Sequence, residues 1–282
     1  MPSAPPPPDD SRAKRGRLHL GTSGWDYPDW VGPLYPAGTP RREFLERYAE
    51  RFDSVEIDST FYRMPTVRDV ERWCGRVPPG FRFSPKVPQE ITHEKLLVGA
   101  EDATKRLVEA LHAFGGRLGV VVVQLRYFRR AEGVEAEEFA HRLAAFLELL
   151  PPSMRVALEV RNRTLWKPPV LDVLRARGRG LVLIDHPWMD PPDRILRRRD
   201  LEPAPITCVR LLGDRVAIER ITTSWGETVL DASARLDSWA AMIARTLEDG
   251  RDVLAYANNH YAGHGPATIR DLEARIRAGL SA

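Results

Sequence analysis

A chain of 282 residues, 43% hydrophobic and 29% charged, can bury a large core and suits one (β/α) barrel. No apolar run approaches the ~20 residues a membrane-crossing helix requires, and the two cysteines, Cys74 and Cys208, stand too far apart for a disulfide scaffold or a CxxC zinc site. Forty-two basic against 39 acidic side chains leave a net charge of +3, too weak a field to argue for nucleic acid by itself.

In chain order, residues 1–16 read as a disordered Pro-rich tail. The segment lacks the apolar stretch of a secretory signal, and a reducing cytoplasm is the expected compartment. Its basic end, Arg12 to Arg17, reads as solvated, although it could touch an anionic partner. Residues 17–280 read as one α/β unit. Strands are expected at about 17–22, 54–58, 81–86, 118–124, 155–160, 181–186, 206–212 and 252–258. Amphipathic helical patterns occupy 40–52, 101–114, 135–150 and 232–250, with apolar residues three and four apart. The link from 186 to 205 is Pro-rich and basic, with Arg197, Arg198 and Arg199 in succession, and reads as loop. Cys74 and Cys208 are both expected to be buried thiols.

Strands alternating with helices demand parallel pairing and crossover connections. Eight such units favour a single (β/α)8 barrel of TIM type, and no GxGxxG follows the first strand to support an open nucleotide-binding sheet. Side-chain alternation then points the polar residues inward, because the outer face of a barrel must be apolar to meet its helices. Glu56 and Asp58 lie opposite Val55 and Ile57; Ser84 and Lys86 lie opposite Phe81 and Phe83; Glu159 and Arg161 lie opposite Leu158 and Val160. Gln124, Asp185 and Arg210 are assigned inward on the same argument, with Ile184 and His186 outward. Their convergence at the C-terminal ends of the strands marks an active-site mouth.

The segments GTSGWDYPDW (21–30), FDSVEIDSTFYRMP (52–65), FRFSPKVPQEITH (81–93), VVVQL (121–125), ALEVRNRTLW (157–166) and YANNHYAGHGPAT (256–268) resemble the YecE-like family, the proteins grouped as domain of unknown function 72. The resemblance spans residue 17 to about 275. It implies a TIM-type barrel and no established reaction. Position by position, it marks Thr22, Ser23 and Trp25 after the first strand, Glu56 and Tyr62 at the second, then Lys86, Gln124, Glu159, Arg161, Asp185, Arg210, Asn258 and Asn259. The chain departs from the pattern at Asp58, where family members usually carry Asn, at Arg126 and Tyr127 in place of prolines, and at Leu212 in place of His.

Three chemistries suit this set. Glu56, Glu159 and Asp185 could hold a divalent metal, although cationic neighbours compete with one. A carboxylate beside Lys86 and Arg210 could work as a metal-free acid or base while Lys86, Arg161 and Arg210 hold an anion. Glu56 and Glu159 could form a glycosidase pair, with Trp25, Tyr27, Trp30, Tyr62 and Trp166 stacking on sugar rings. Backbone N–H groups in GTSGW and GHGPAT could receive a phosphate, or simply form a turn and a helix entry. The expectation is an enzyme acting on a phosphate-bearing sugar or nucleic-acid component. Glu56, Glu159, Lys86 and Asp185 would be catalytic. Thr22, Ser23, Trp25, Tyr62, Gln124, Arg161, Arg210, Asn258 and Asn259 would bind substrate. The competing class is a barrel that binds nucleic acid or a metabolite without turnover.

Overall fold

The computed structural model describes residues 15–281, so the predicted tail falls, apart from Arg15 and Gly16, outside the described residues. Among the described residues there are eight strands: β1 (Leu18–Thr22), β2 (Ser54–Ile57), β3 (Arg82–Pro85), β4 (Val121–Gln124), β5 (Val156–Glu159), β6 (Gly180–Asp185), β7 (Ile206–Leu211) and β8 (Asp252–Ala257). All their pairings are parallel. Six form a curled sheet in the order β1-β8-β7-β6-β5-β4, and β2 pairs with β3 in a second sheet. The two sheets meet at isolated bridges, Ser23 with Glu56 at one seam, and Phe83 with Leu118 and Lys86 with Val122 at the other.

The longer helices follow the predicted apolar spacing. Leu107 and Leu111 of Glu101–His112, Phe139, Leu143 and Phe146 of Ala136–Glu148, and Leu236, Trp239, Ile243 and Leu247 of Ser233–Glu248 are buried. The 40–52 pattern yields only a 3-10 turn and the helix Phe44–Ala49. Two further helices, Val67–Cys74 and Pro168–Ala176, carry local start signals: a Thr66–Asp69 capping box and a proline in the first turn. Cys208 is buried as expected, but Cys74 is only half-buried at the end of its helix. The 186–205 link contains one short helix, Pro192–Ile195, and a 3-10 turn. Its arginines are neutralised, since Arg197, Arg198 and Arg199 pair with Asp193, Asp200 and Asp249. Among the described residues no helix is long and apolar enough to cross a membrane.

Register decides which side chains face inward, because residues level with each other on parallel strands share a face. Glu56 is level with Ser84, Gln124 with Glu159, and Arg210 with both Ile184 and Tyr256. The Tyr256 hydroxyl confirms the interior: it lies 2.6 Å from Ser54 Oγ and 2.7 Å from Ser84 Oγ, joining β8 to β2 and β3. β6 corrects the inward assignment. Asp185 is level with Leu211 and therefore faces outward, while Ile184 and His186 take the inner phase. GLVLID is apolar on both faces up to its last residue, so its alternation carries no phase information.

Candidate functional site

The inner face ends, at the C-terminal edges of the strands, in a compact ionic net. Arg210 of β7 is its centre, with a side chain only 2% exposed. Its Nε lies 2.6 Å from Glu56 Oε2, its Nη2 donates to Glu56 Oε1 at 2.7 Å, and its Nη1 donates to Gln124 Oε1 at 3.0 Å and to Glu159 Oε2. Lys86 Nζ stands 2.5 Å from Asp58 Oδ1 and 3.6 Å from Glu56 Oε1. Arg161 Nε donates to Glu159 Oε1 at 3.1 Å. Three cations thus face three carboxylates in a low-dielectric setting, which is what allows charges to stay buried.

Burial and pairing pull the carboxylates apart. Burial, with the nearby charge of Asp58, pushes Glu56 above the usual carboxylate range against the pull of Arg210 and Lys86. Burial also opposes ionisation of Asp58 and Glu159. Lys86 and Arg210 nevertheless hold Asp58 down to about 2, and Arg210, Arg161 and Lys86 hold Glu159 down to about 2. The carboxylates of Glu56 and Glu159 are sealed. Water reaches Asp58, whose side chain is 32% exposed, Arg161 at 27% and the tip of Lys86 at 9%.

The structure therefore joins seven residues that alternation sends to the mouth, Glu56, Asp58, Lys86, Gln124, Glu159, Arg161 and Arg210, and of these Asp58 alone has no role assigned from the sequence. It separates others. The Asp185 carboxylate accepts from Trp239 Nε1 and Tyr261 Oη, each at 2.7 Å, and pairs with Arg235, so it clamps the helix Ser233–Glu248 to the sheet. Thr22 bonds Tyr48 and the Gly24 carbonyl. Asn258 accepts from the His260 N–H, and Asn259 Oδ1 caps the helix Gly265–Ser281 through the Gly265 N–H, so both amides shape turns. Ser23 lies on the inner face, buried, with no hydrogen-bond partner for its hydroxyl among the described residues.

The aromatic rim also divides. Trp30 and Trp166 are core residues, and Trp25 packs edge-on against Trp73. Tyr62 is exposed. Tyr27 bonds the Ser23 carbonyl at 3.0 Å; burial and then Asp58 and Glu56 push its phenol up. The rim gains residues that sequence reasoning missed: His93, His186, Tyr127 and Trp188. Burial and then arginine charge, Arg126 and Arg161 at His93 and Arg161 at His186, lower both imidazoles below their ordinary range. The inner phase of His186 was hidden by the apolar strand before it.

Both glycine motifs answer to backbone packing. A Cβ on Gly21 would sit 1.9 Å from the Ser54 carbonyl oxygen, so only glycine lets β1 approach β2. Gly263 has φ +106° and would place a Cβ 2.5 Å from the Glu227 carbonyl oxygen. Among the described residues no group of three or more His, Cys, Asp or Glu is disposed to hold a metal ion. The Arg210 guanidinium sits where a divalent ion bridging Glu56 and Glu159 would go, so these residues do not fit a metal.

Fold and site together define an α/β protein of parallel strands whose C-terminal mouth overlies a buried, charge-balanced ionic net. It belongs to the family described as "Protein of unknown function DUF72", whose model matches residues 19–281. A DUF72 family protein from Enterococcus faecalis superposes with a TM-score of 0.70 at 18% identity, over 92% of this chain and 95% of its own. One from Thermotoga maritima gives 0.66 at 20% identity, over 94% and 100%. The protein is 26% identical over 145 residues to UPF0759 protein YecE of Escherichia coli, 51% of this chain and 48% of that protein; the chain thus matches about half the length of this curated relative.

Proposed function

We propose that the two sheets act as one closed (β/α)8 barrel whose mouth hydrolyses a phosphate-bearing substrate, a sugar phosphate or a nucleic-acid component, by metal-free acid–base chemistry. The observation that carries this reading is geometric: Lys86, whose tip reaches solvent, stands 2.5 Å from the partly exposed carboxylate of Asp58 and 3.6 Å from the sealed carboxylate of Glu56, and burial raises Glu56 while the cations lower Asp58. Opposed tuning of this kind separates an acid from its neighbour. Lys86 and Arg161 are the cations within reach of solvent and would contact the phosphate. Arg210, sealed and paired with both glutamates, serves as the anchor that positions Glu56 and Glu159.

The charge balance supplies the proton logic. An anion entering a net of three cations and three carboxylates makes it negative, which raises the Glu56 pKa further. Glu56 then takes up a proton as the substrate binds. Water adds to phosphorus as the bond from phosphorus to the leaving oxygen breaks, the leaving oxygen takes a proton from Lys86 Nζ that Glu56 restores, and the protons of the water leave with the phosphate. Glu56→Gln should abolish proton uptake on binding, measured by calorimetry in buffers of different ionisation enthalpy, and slow turnover by roughly 10²–10⁴-fold. Unchanged turnover of a phosphate ester in that variant would refute the role.

The complete burial of Glu56 and Glu159 also favours a second reading, a barrel that binds its ligand without turnover. Binding that is lost in Lys86→Met, with no product released by the unaltered protein from any phosphomonoester or phosphodiester tried, selects that reading.

A further inference from the structure

Beside the ionic net, between the loops that follow β4, β5 and β6, lies an open cavity of about 570 Å³. Arg161 joins the two: its Nε donates to Glu159, and the residue also lines the cavity. Two aromatic rings stand in the opening, Tyr127 at 45% and Trp188 at 57% exposure, with centroids 5.3 Å apart and planes at 58°. The Trp188 backbone N–H donates to His186 Nδ1 at 3.2 Å, and the His186 ring meets the indole edge-on at 4.9 Å. Two large rings set side by side and left wet call for a ligand that covers them.

The polar lining states which ligand. Arg161 and Arg163 present guanidinium donors. The amide of Asn162 is already occupied, its oxygen by the Phe128 N–H and its nitrogen by the Phe128 carbonyl, each at 2.9 Å. Asp190 is taken by Arg163. Side-chain acceptors are thus limited to the Tyr127 and Thr164 hydroxyls, a poor match for a sugar with several O–H donors. A flat ring carrying an anion needs faces to stack on and cations to pair with, and the cavity offers both.

We propose that this cavity is the ring-binding half of the site and selects a nucleotide: the base stacks on Trp188 and Tyr127, and its phosphate meets Arg161 next to the ionic net. The inference rests on the phosphate reading above and narrows its substrate class. The test is a set of tryptophan-fluorescence titrations with AMP, adenosine, glucose 6-phosphate and inorganic phosphate. The Trp188→Phe variant identifies which of the seven tryptophans responds. AMP should bind roughly ten-fold tighter than glucose 6-phosphate, the order expected for one stacked base. Trp188→Ala, at an exposed position, should reduce AMP to the affinity of the sugar phosphate and leave inorganic phosphate unaffected. Equal affinity for AMP and glucose 6-phosphate, or AMP binding that survives Trp188→Ala, overturns the nucleotide assignment while leaving the phosphate reading intact. Adenosine bound through Trp188 without any response to the phosphates overturns the phosphate reading and reduces the cavity to a base site.

Discussion

Arg210 is buried among Glu56, Glu159 and Gln124, and removing its guanidinium leaves two water-sealed carboxylates with one counter-charge each, Lys86 at 3.6 Å from Glu56 and Arg161 at 3.1 Å from Glu159. Arg210→Met should lower stability by roughly 3–5 kcal/mol in urea denaturation, the usual result of breaking a buried ion pair from one side. Lysine at that position should recover only part, because one ammonium cannot reach both glutamates as the guanidinium does. The acid limb of stability follows from the same net. Glu159 has its folded pKa lowered from 4.5 to about 2, so its contribution is complete above about pH 4.5 and is lost as pH falls towards 2. Asp58, similarly lowered, adds a smaller share because part of it is solvated. Glu56 acts with the opposite sign: its raised pKa means the folded form binds its proton more readily, so acid offsets some of the loss. Urea midpoints at pH 6, 4 and 2.5 should therefore fall with acid, and less steeply in Glu159→Gln. Parallel falls in the two proteins would mean that Glu159 is not the group responsible.

At the scale of elements, one strand phase separates a catalytic assignment from a structural one. Asp185 ends β6 as visibly as Glu159 ends β5, yet its carboxylate faces the helix Ser233–Glu248 and ties Trp239, Arg235 and Tyr261 together. Asp185→Ala should cost about 1–3 kcal/mol, because the Trp239 and Tyr261 donors lose their buried acceptor. Phosphate affinity, read by the same titrations, should be unchanged. A variant that stayed stable but lost phosphate would return Asp185 to the site. β2 and β3 kept their phase legible because charged or hydroxyl residues alternate with Val, Ile or Phe, and β5 because Glu159 and, just past the strand, Arg161 alternate with Leu158 and Val160. β6 offers five apolar or small residues first, and nothing in its own sequence distinguishes the two faces.

For the molecule as a whole, the weak places are the seams. β2 and β3 pair through four residues each, but only isolated bridges join them to β1 and β4. Elements with fewer shared backbone bonds open at lower free energy. Hydrogen exchange followed by mass spectrometry should show the β2–β3 amides exchanging before those of β6, β7 and β8. Uniform protection across all eight strands would mean that the interior bonds of Tyr256 to Ser54 and Ser84 close the seams as firmly as a ladder does. That outcome would support the closed barrel proposed above and remove the weak unit.

Alternating hydrophobicity alone determined that parallel strands alternate with helices, and placed Glu56, Lys86, Gln124, Glu159, Arg161 and Arg210 near one mouth. A charge that interrupts an apolar run is visible without coordinates, because burying it has a cost that chance does not repeat strand after strand. Partnership is not visible in that way. Only the tertiary structure decided that Arg210 anchors the net, that Asp185 belongs to a helix clamp, that Trp30 and Trp166 are core, and that Trp188 and His186 reach the rim. Each of those outcomes depends on register and on which loops meet in space, and both arise from contacts between residues tens to hundreds of positions apart.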